Sequence, residues 1–220
     1  MNKLTLLLIV AFILVTSQTS GQELTAEAIL ARIDDNMVYD TAYSEMDMII
    51  TIGKRTIEKR LVSYSEGIDK SFVEFLSPAR DRGTKMLKVG KVLKIYFPSA
   101  ERVMRLSGHM LRQSLMGSDF SYEDMMETAE ELEEEYQVKL IGEEVFNDVP
   151  CYVLELESRD ENRTYFFRKL WVDKDKFIGH KVEFSAKSGK LLKVMTVRNI
   201  QSFKNRYYPT RVTMKGEFRP

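Results

Sequence analysis

From Tyr43 onward the hydrophobic period of this chain is two, and it stays near two for most of the remaining length. Met46, Met48, Ile50 and Ile52 fall on one face of the first such segment, while Glu45, Asp47 and Thr51 fall on the other, as a half-buried β-strand requires. Further strands are predicted near 56–65, 69–76, 84–89, 92–97 and 101–106, then near 137–145, 150–158, 163–173, 177–186, 190–203 and 207–215. Turn chemistry separates them at Glu66-Gly67, Ser77-Pro78, Val89-Gly90-Lys91, Pro98-Ser99, Asn147-Asp148 and Lys187-Ser188-Gly189. About eleven strands joined by short turns form an antiparallel meander. Right-handed twist coils such a meander into a strongly curved sheet, a half-open β-barrel.

Two segments break the period. Thr25 can cap a helix that turns Ala28, Ile29, Ala31, Ile33 and Met37 to one side, with Glu27 in its first turn. Between Ser107 and Tyr136 the alternation stops and gives way to a Met- and Gly-containing loop followed by an acidic helical stretch. The N-terminal helix and this helical insertion are available to cover the open face of the sheet, an α+β arrangement. No repeat or composition break divides the chain, so residues 22–220 are read as one domain.

Residues 1–21 have the make-up of a secretory signal peptide: Lys3, an apolar run from Leu4 to Val15, and small residues Thr19 and Gly21 at the processing site. The apolar run is shorter than the roughly 20 residues a membrane-spanning helix needs. No cysteine stands at the cleavage site to carry a lipid anchor. Losing Lys3 with the leader turns the balance of 33 bases and 33 acids into 32 against 33. A near-neutral chain of this kind offers no case for nucleic acid. Its single cysteine, Cys151, sits in a strand context and cannot close an intramolecular disulfide, so an exported domain must be held by its core.

Catalytic and metal signatures are thin. The two histidines, His109 and His180, have no metal-ligand spacing around them, and neither a Gly-x-Ser-x-Gly elbow nor a phosphate-binding glycine loop occurs. His109, Arg112 and Asp119 are the best candidates for an enzymatic site, on proximity alone. The acidic run from Glu130 to Glu135 lacks the pattern of a calcium loop and reads as a solvated helix face. Arg80, Arg82, Lys85, Lys88, Lys91, Lys94, Arg102 and Arg105 read as exposed strand faces or as a docking surface for an acidic partner or lipid headgroup. No cofactor or metal is expected.

Methionine is the more informative residue. The chain has 12, among them Met46, Met48, Met86, Met104, Met110, Met116, Met125 and Met126, spread over strands and insertion alike. Its flexible thioether fills irregular apolar space and suits surfaces that accept varied partners. With Phe72, Phe75, Phe97 and Phe120, these methionines suit a cavity that holds mobile acyl chains.

The stretch Ile95-Tyr96-Phe97-Pro98-Ser99-Ala100-Glu101-Arg102-Val103, then Gly108-His109-Met110-Leu111-Arg112 and Met116-Gly117-Ser118-Asp119-Phe120-Ser121-Tyr122-Glu123-Asp124-Met125, resembles the outer-membrane lipoprotein-sorting proteins, a LolA-like family. Gly83-Thr84-Lys85-Met86-Leu87, Trp171-Val172-Asp173 and Tyr208-Pro209-Thr210 are similar to the same pattern. The resemblance implies a half-barrel whose apolar interior takes the acyl chains of a lipoprotein or related lipid. It also implies a periplasmic monomer that receives cargo from an inner-membrane transporter and delivers it to an outer-membrane acceptor. The chain stops at Pro220, where that pattern leads one to expect further strands.

On this reading the cargo lies against Met46, Met48, Ile50, Ile52, Met86, Met110, Met116 and Phe120. Residues 107–126 form a mobile cover, with Gly108, His109, Arg112, Gly117, Asp119 and Tyr122 as its lid and hinge positions. The alternative is an accessory subunit with a sealed core that docks on a membrane transporter. At ~0.8 kcal/mol per buried CH₂, one long acyl chain represents on the order of 10 kcal/mol that water opposes. Non-directional contacts with Met and aromatic walls can offset that without preventing release.

Overall fold

The computed structural model describes residues 24–217, so the leader predicted over 1–21 lies outside the described residues. Helix α1 (Ala26–Met37) is capped as expected, Ala28 N–H donating to Thr25 Oγ1 at 3.2 Å. Its buried side chains are Ala26, Ile29 and Leu30, with Ile33 packed beside them. Ala28, Ala31 and Met37 are exposed, so the apolar stripe follows the i, i+3, i+4, i+7 rule from Ala26 and not from Ala28.

Six strands follow: β1 (Thr41–Ile52), β2 (Arg55–Glu66), β3 (Lys70–Phe75), β4 (Lys85–Val89), β5 (Val92–Phe97) and β6 (Arg102–Leu106). The insertion contributes a 3₁₀ turn at Gly108–Arg112 and two short helices, α2 (Tyr122–Met126) and α3 (Ala129–Glu135). The second series is β7 (Tyr136–Phe146), β8 (Val149–Ser158), β9 (Phe167–Asp173), β10 (Gly179–Ser185), β11 (Leu191–Phe203) and β12 (Arg206–Gly216).

The strands make two antiparallel six-stranded sheets, ordered β1-β2-β3-β4-β5-β6 and β12-β11-β10-β9-β8-β7. This corrects the expectation of one sheet of about eleven strands coiled into a half-open barrel. The insertion falls between β6 and β7, so two separate meanders form, and they do not close into a barrel. The first sheet pairs without a register shift along its ladders. The second carries shifts at Leu140/Gly142, Gly179/Lys181 and Phe184/Ser185, where bulges bend the strands. Asn147 and Asp148 both adopt left-handed backbone, as the two-residue turn joining β7 to β8 demands.

Each sheet has its own core. One face of the second sheet packs Tyr136, Leu154, Leu156, Leu170, Val172, Val182 and Phe184 against α1. The opposite face buries Cys151, Val153 and Trp171 with Phe146 and Val149. In the first sheet, Ser63, Val73, Met86, Ile95 and Met104 are aligned in one cross-strand row of the inner face. Around it, Leu61, Phe75, Leu93 and Leu106 pack against Leu115, Tyr122 and Met126 of the insertion. Full burial of such side chains stabilises by about 1.5–3 kcal/mol each. The insertion is therefore part of the core.

Candidate functional site

The inner face of the first sheet is where the methionines converge. Met86 of β4 is buried, because alternation in that short strand turns Met86 and Lys88 inward and Lys85, Leu87 and Val89 outward. Met48 from β1, Phe97 from β5 and Met110, Leu111, Met116 and Phe120 from the insertion pack on the same cluster, each only partly buried. Five of the eight expected cargo residues thus share one apolar cluster: Met48, Met86, Met110, Met116 and Phe120. Ile50 is buried nearby in β1. Met46 and Ile52, on the same face of β1, are 41% and 44% exposed, since β1 is the edge strand of the sheet.

The segment expected to form a cover folds into a tight loop. Leu115 N–H donates to the Phe120 carbonyl at 2.7 Å, and Ser118 Oγ donates to the Leu115 carbonyl at 2.8 Å. Between them Met116 and Gly117 are consecutive left-handed residues, with φ of 50° and 91°. Gly117 takes that backbone freely, whereas Met116 is held there by the hydrogen bonds that close the loop. Gly108 is left-handed at the entrance to the 3₁₀ turn, and His109 and Arg112 of that turn are exposed. Asp119 Oδ2 accepts the Gly216 N–H at 3.0 Å, which ties the loop to β12. Tyr122 is buried at the start of α2.

Beyond Ser121 the insertion is clamped by charges that sequence reading missed. Ser121 and Asp124 form a reciprocal cap for α2, and Asp124 also takes Lys193 Nζ of β11 at 2.6 Å. Glu127, just past α2, holds both terminal nitrogens of Arg168 of β9 at 2.5 Å. Arg168 Nε donates to the Tyr136 hydroxyl at 3.2 Å, and the guanidinium lies over the Tyr136 and Phe184 rings. Burial alone disfavours the charge on Arg168, but Glu127 and Tyr136 more than offset it and push its pKa up. Lys88, expected on an exposed face, points inward and donates to the Met126 carbonyl at 3.0 Å. Burial holds its pKa below the usual lysine value, against the opposing pull of Glu131 and Asp69. Lys59, also buried on the inner face, pairs with Asp81.

Together these contacts make α2 a keystone between the sheets. Its Tyr122 and Met126 pack on the first sheet, while Asp124 and the adjoining Glu127 are anchored on the second. The signal was present in the strand period: Arg168 is in phase with buried Leu170 and Val172, and Lys88 with buried Met86. A cation at an inward position of an apolar row needs an acidic partner from elsewhere. Among the described residues no group of three His, Cys, Asp or Glu side chains could hold a metal ion, and no helix is long and apolar enough to cross a membrane.

A family model with the description "Uncharacterized protein" matches residues 67–219. Among solved structures, a DUF1329 family protein from Desulfovibrio piger has 25% identity and a TM-score of 0.80, covering 88% of this chain and 86% of its own. A protein domain from Vibrio parahaemolyticus described as outer membrane lipoprotein-sorting has 25% identity and a TM-score of 0.78, over 87% and 85%. A LolA superfamily protein from Nitrosomonas europaea has 29% identity and a TM-score of 0.72, over 88% and 86%. No curated protein matches the sequence.

Proposed function

Because this chain belongs to the LolA-like family of outer-membrane lipoprotein-sorting proteins, we propose that it is a non-enzymatic periplasmic carrier that takes the acyl chains of a lipoprotein or another lipid against the inner face of its first sheet. The observation that carries this reading is the cluster of Met48, Met110, Met116 and Phe120 over buried Met86, packed yet not sealed from water. Methionine side chains can repack around a guest of similar polarity at small cost. In the free protein the insertion fills the space that cargo would take, so loading displaces Met110, Met116 and Phe120 from the sheet. Segment 107–120 moves, which requires release of the Asp119 tie to Gly216 of β12, while the stretch from Ser121 to Glu127 stays clamped to the second sheet. Gly108 and Gly117 are the hinges of that motion. An inner-membrane transporter and an outer-membrane acceptor are the partners at the two ends of the route.

The dense packing of the insertion on the first sheet also favours a second reading, a sealed-core accessory subunit of a membrane transporter. Mass spectrometry of organic extracts from gently purified protein separates the two. Stoichiometric lipid supports the carrier. Lipid-free protein that also fails to take up a fluorescent fatty-acyl probe contradicts it.

A further inference from the structure

The opposite, outer face of the first sheet is uncovered by any described element and carries an ordered pattern. The register places Tyr43, Tyr64, Phe72, Leu87, Lys94 and Arg105 in one cross-strand row running from β1 to β6. Tyr43, Tyr64 and Leu87 are 55%, 51% and 42% exposed, and they line a shallow hollow of about 500 Å³ with Phe72. Charge is split across the same face. On β1 and β2 it shows Glu45, Asp47, Glu58 and Glu66 against Arg60. On β3 to β6 it shows Lys70, Lys85, Lys94 and Arg105 against Glu74. Pairing within the chain joins Arg60 to Asp47, Lys70 to Glu66 and Lys85 to Glu74. Among the described residues, Glu45, which accepts the Tyr43 hydroxyl at 2.8 Å, and Glu58 have no cation partner on one side, and Lys94 and Arg105 no acidic partner on the other.

We infer that this face binds a second copy of the same chain. An acidic flank, an apolar middle and a basic flank make the surface complementary to itself, as an isologous two-fold contact requires. The pattern also selects the axis. A two-fold parallel to the strands lays β1 of one copy over β6 of the other, so each acidic flank meets a basic one. Tyr43 and Tyr64 then face the partner copy's cations, and Phe72 of each copy meets Leu87 of the other across the axis. A two-fold across the strands would oppose like charges instead. The first arrangement is an aligned sheet-on-sheet contact with about 10 Å between faces. A uniformly anionic bilayer matches only half of the face. This dimer departs from the monomer expected from the sequence, and it leaves the Met86 face free in both copies.

Sedimentation velocity of the whole protein over a concentration series tests the inference. The expected result is a reversible dimer whose dissociation constant rises at least tenfold toward ~1 M salt, where the screening length falls to about 3 Å. Lys94→Glu with Arg105→Glu should give a folded monomer, and so should Glu45→Lys with Glu66→Lys. Mixing the two variants should restore dimers, which also shows that both are folded. Wild-type protein that stays monomeric at every concentration overturns the inference, and means that the face meets a different protein, a membrane or nothing. Variants that dimerise like wild type, or a mixture that stays monomeric, overturn it as well.

Discussion

Removing the Glu127 carboxylate is the sharpest test of how the insertion is held. Arg168 is 4% exposed and receives both oxygens of Glu127, whose own side chain is 17% exposed. In Glu127→Ala the guanidinium stays buried with only the Tyr136 hydroxyl and neighbouring rings for company. Breaking a buried pair by removing one partner costs about 3–5 kcal/mol. The remaining hydroxyl and rings put this case near the lower end, about 3 kcal/mol. For a domain of this size that is a fall of roughly 6–12 °C in melting temperature. Arg168→Met should cost less, about 1–2 kcal/mol, because the stranded carboxylate is closer to water. The double variant Glu127→Leu/Arg168→Met should recover to within about 1 kcal/mol of wild type, since no buried charge is left unpaired. Urea unfolding followed through Trp171, the chain's only tryptophan and buried in the second sheet, reads all three. A loss below about 1 kcal/mol in Glu127→Ala, or a double variant as unstable as the single, would refute the keystone account of α2.

Three further outcomes follow from the same geometry. Met48→Glu places a carboxylate on the face proposed to take acyl chains but directly across the ladder from Lys59, so binding of a fluorescent fatty-acyl probe should fall at least tenfold while urea stability changes by less than about 1.5 kcal/mol; unchanged probe affinity would contradict the site. Hydrogen exchange should be faster over 107–120 than over 121–127 in the free protein and should slow over 107–120 when lipid is added, whereas uniform protection in both states would remove the lid. The Cys151 thiol, buried and pushed up to about 11 by burial with a further rise from Asp173, should resist alkylation at pH 8 in the native protein and react at once in urea; prompt native labelling would mean that the second sheet opens readily.

The strand ladder was legible because period-two alternation needs only local information. The twelve observed strands lie within a few residues of the expected ranges, and Thr25 was found as the helix cap. What alternation cannot report is which strands pair. The break between β6 and β7 makes two sheets of one expected half-barrel, and nothing local to either strand announces it. Met86, Met110, Met116 and Phe120 were legible as an apolar group, and their meeting depends on a loop folding back over β4. Met46 and Ile52 share the correct face of β1, but facing the right way on an edge strand does not guarantee cover. Lys88 and Arg168 were the largest omission. Basic residues are mostly exposed, and that prior outweighed the strand phase that places both inside.

Cross-linking with a photoreactive fatty-acyl probe, followed by peptide mapping, tests the central claim most directly, because it reports where an acyl chain lies. Labels on the peptides that carry Met48, Met86 and residues 107–120 are the predicted result, lost in Met48→Glu and competed by unlabelled lipid. Labels confined to the outer row of Tyr43, Tyr64, Phe72 and Leu87, or no specific labelling at saturating probe, would contradict the carrier account.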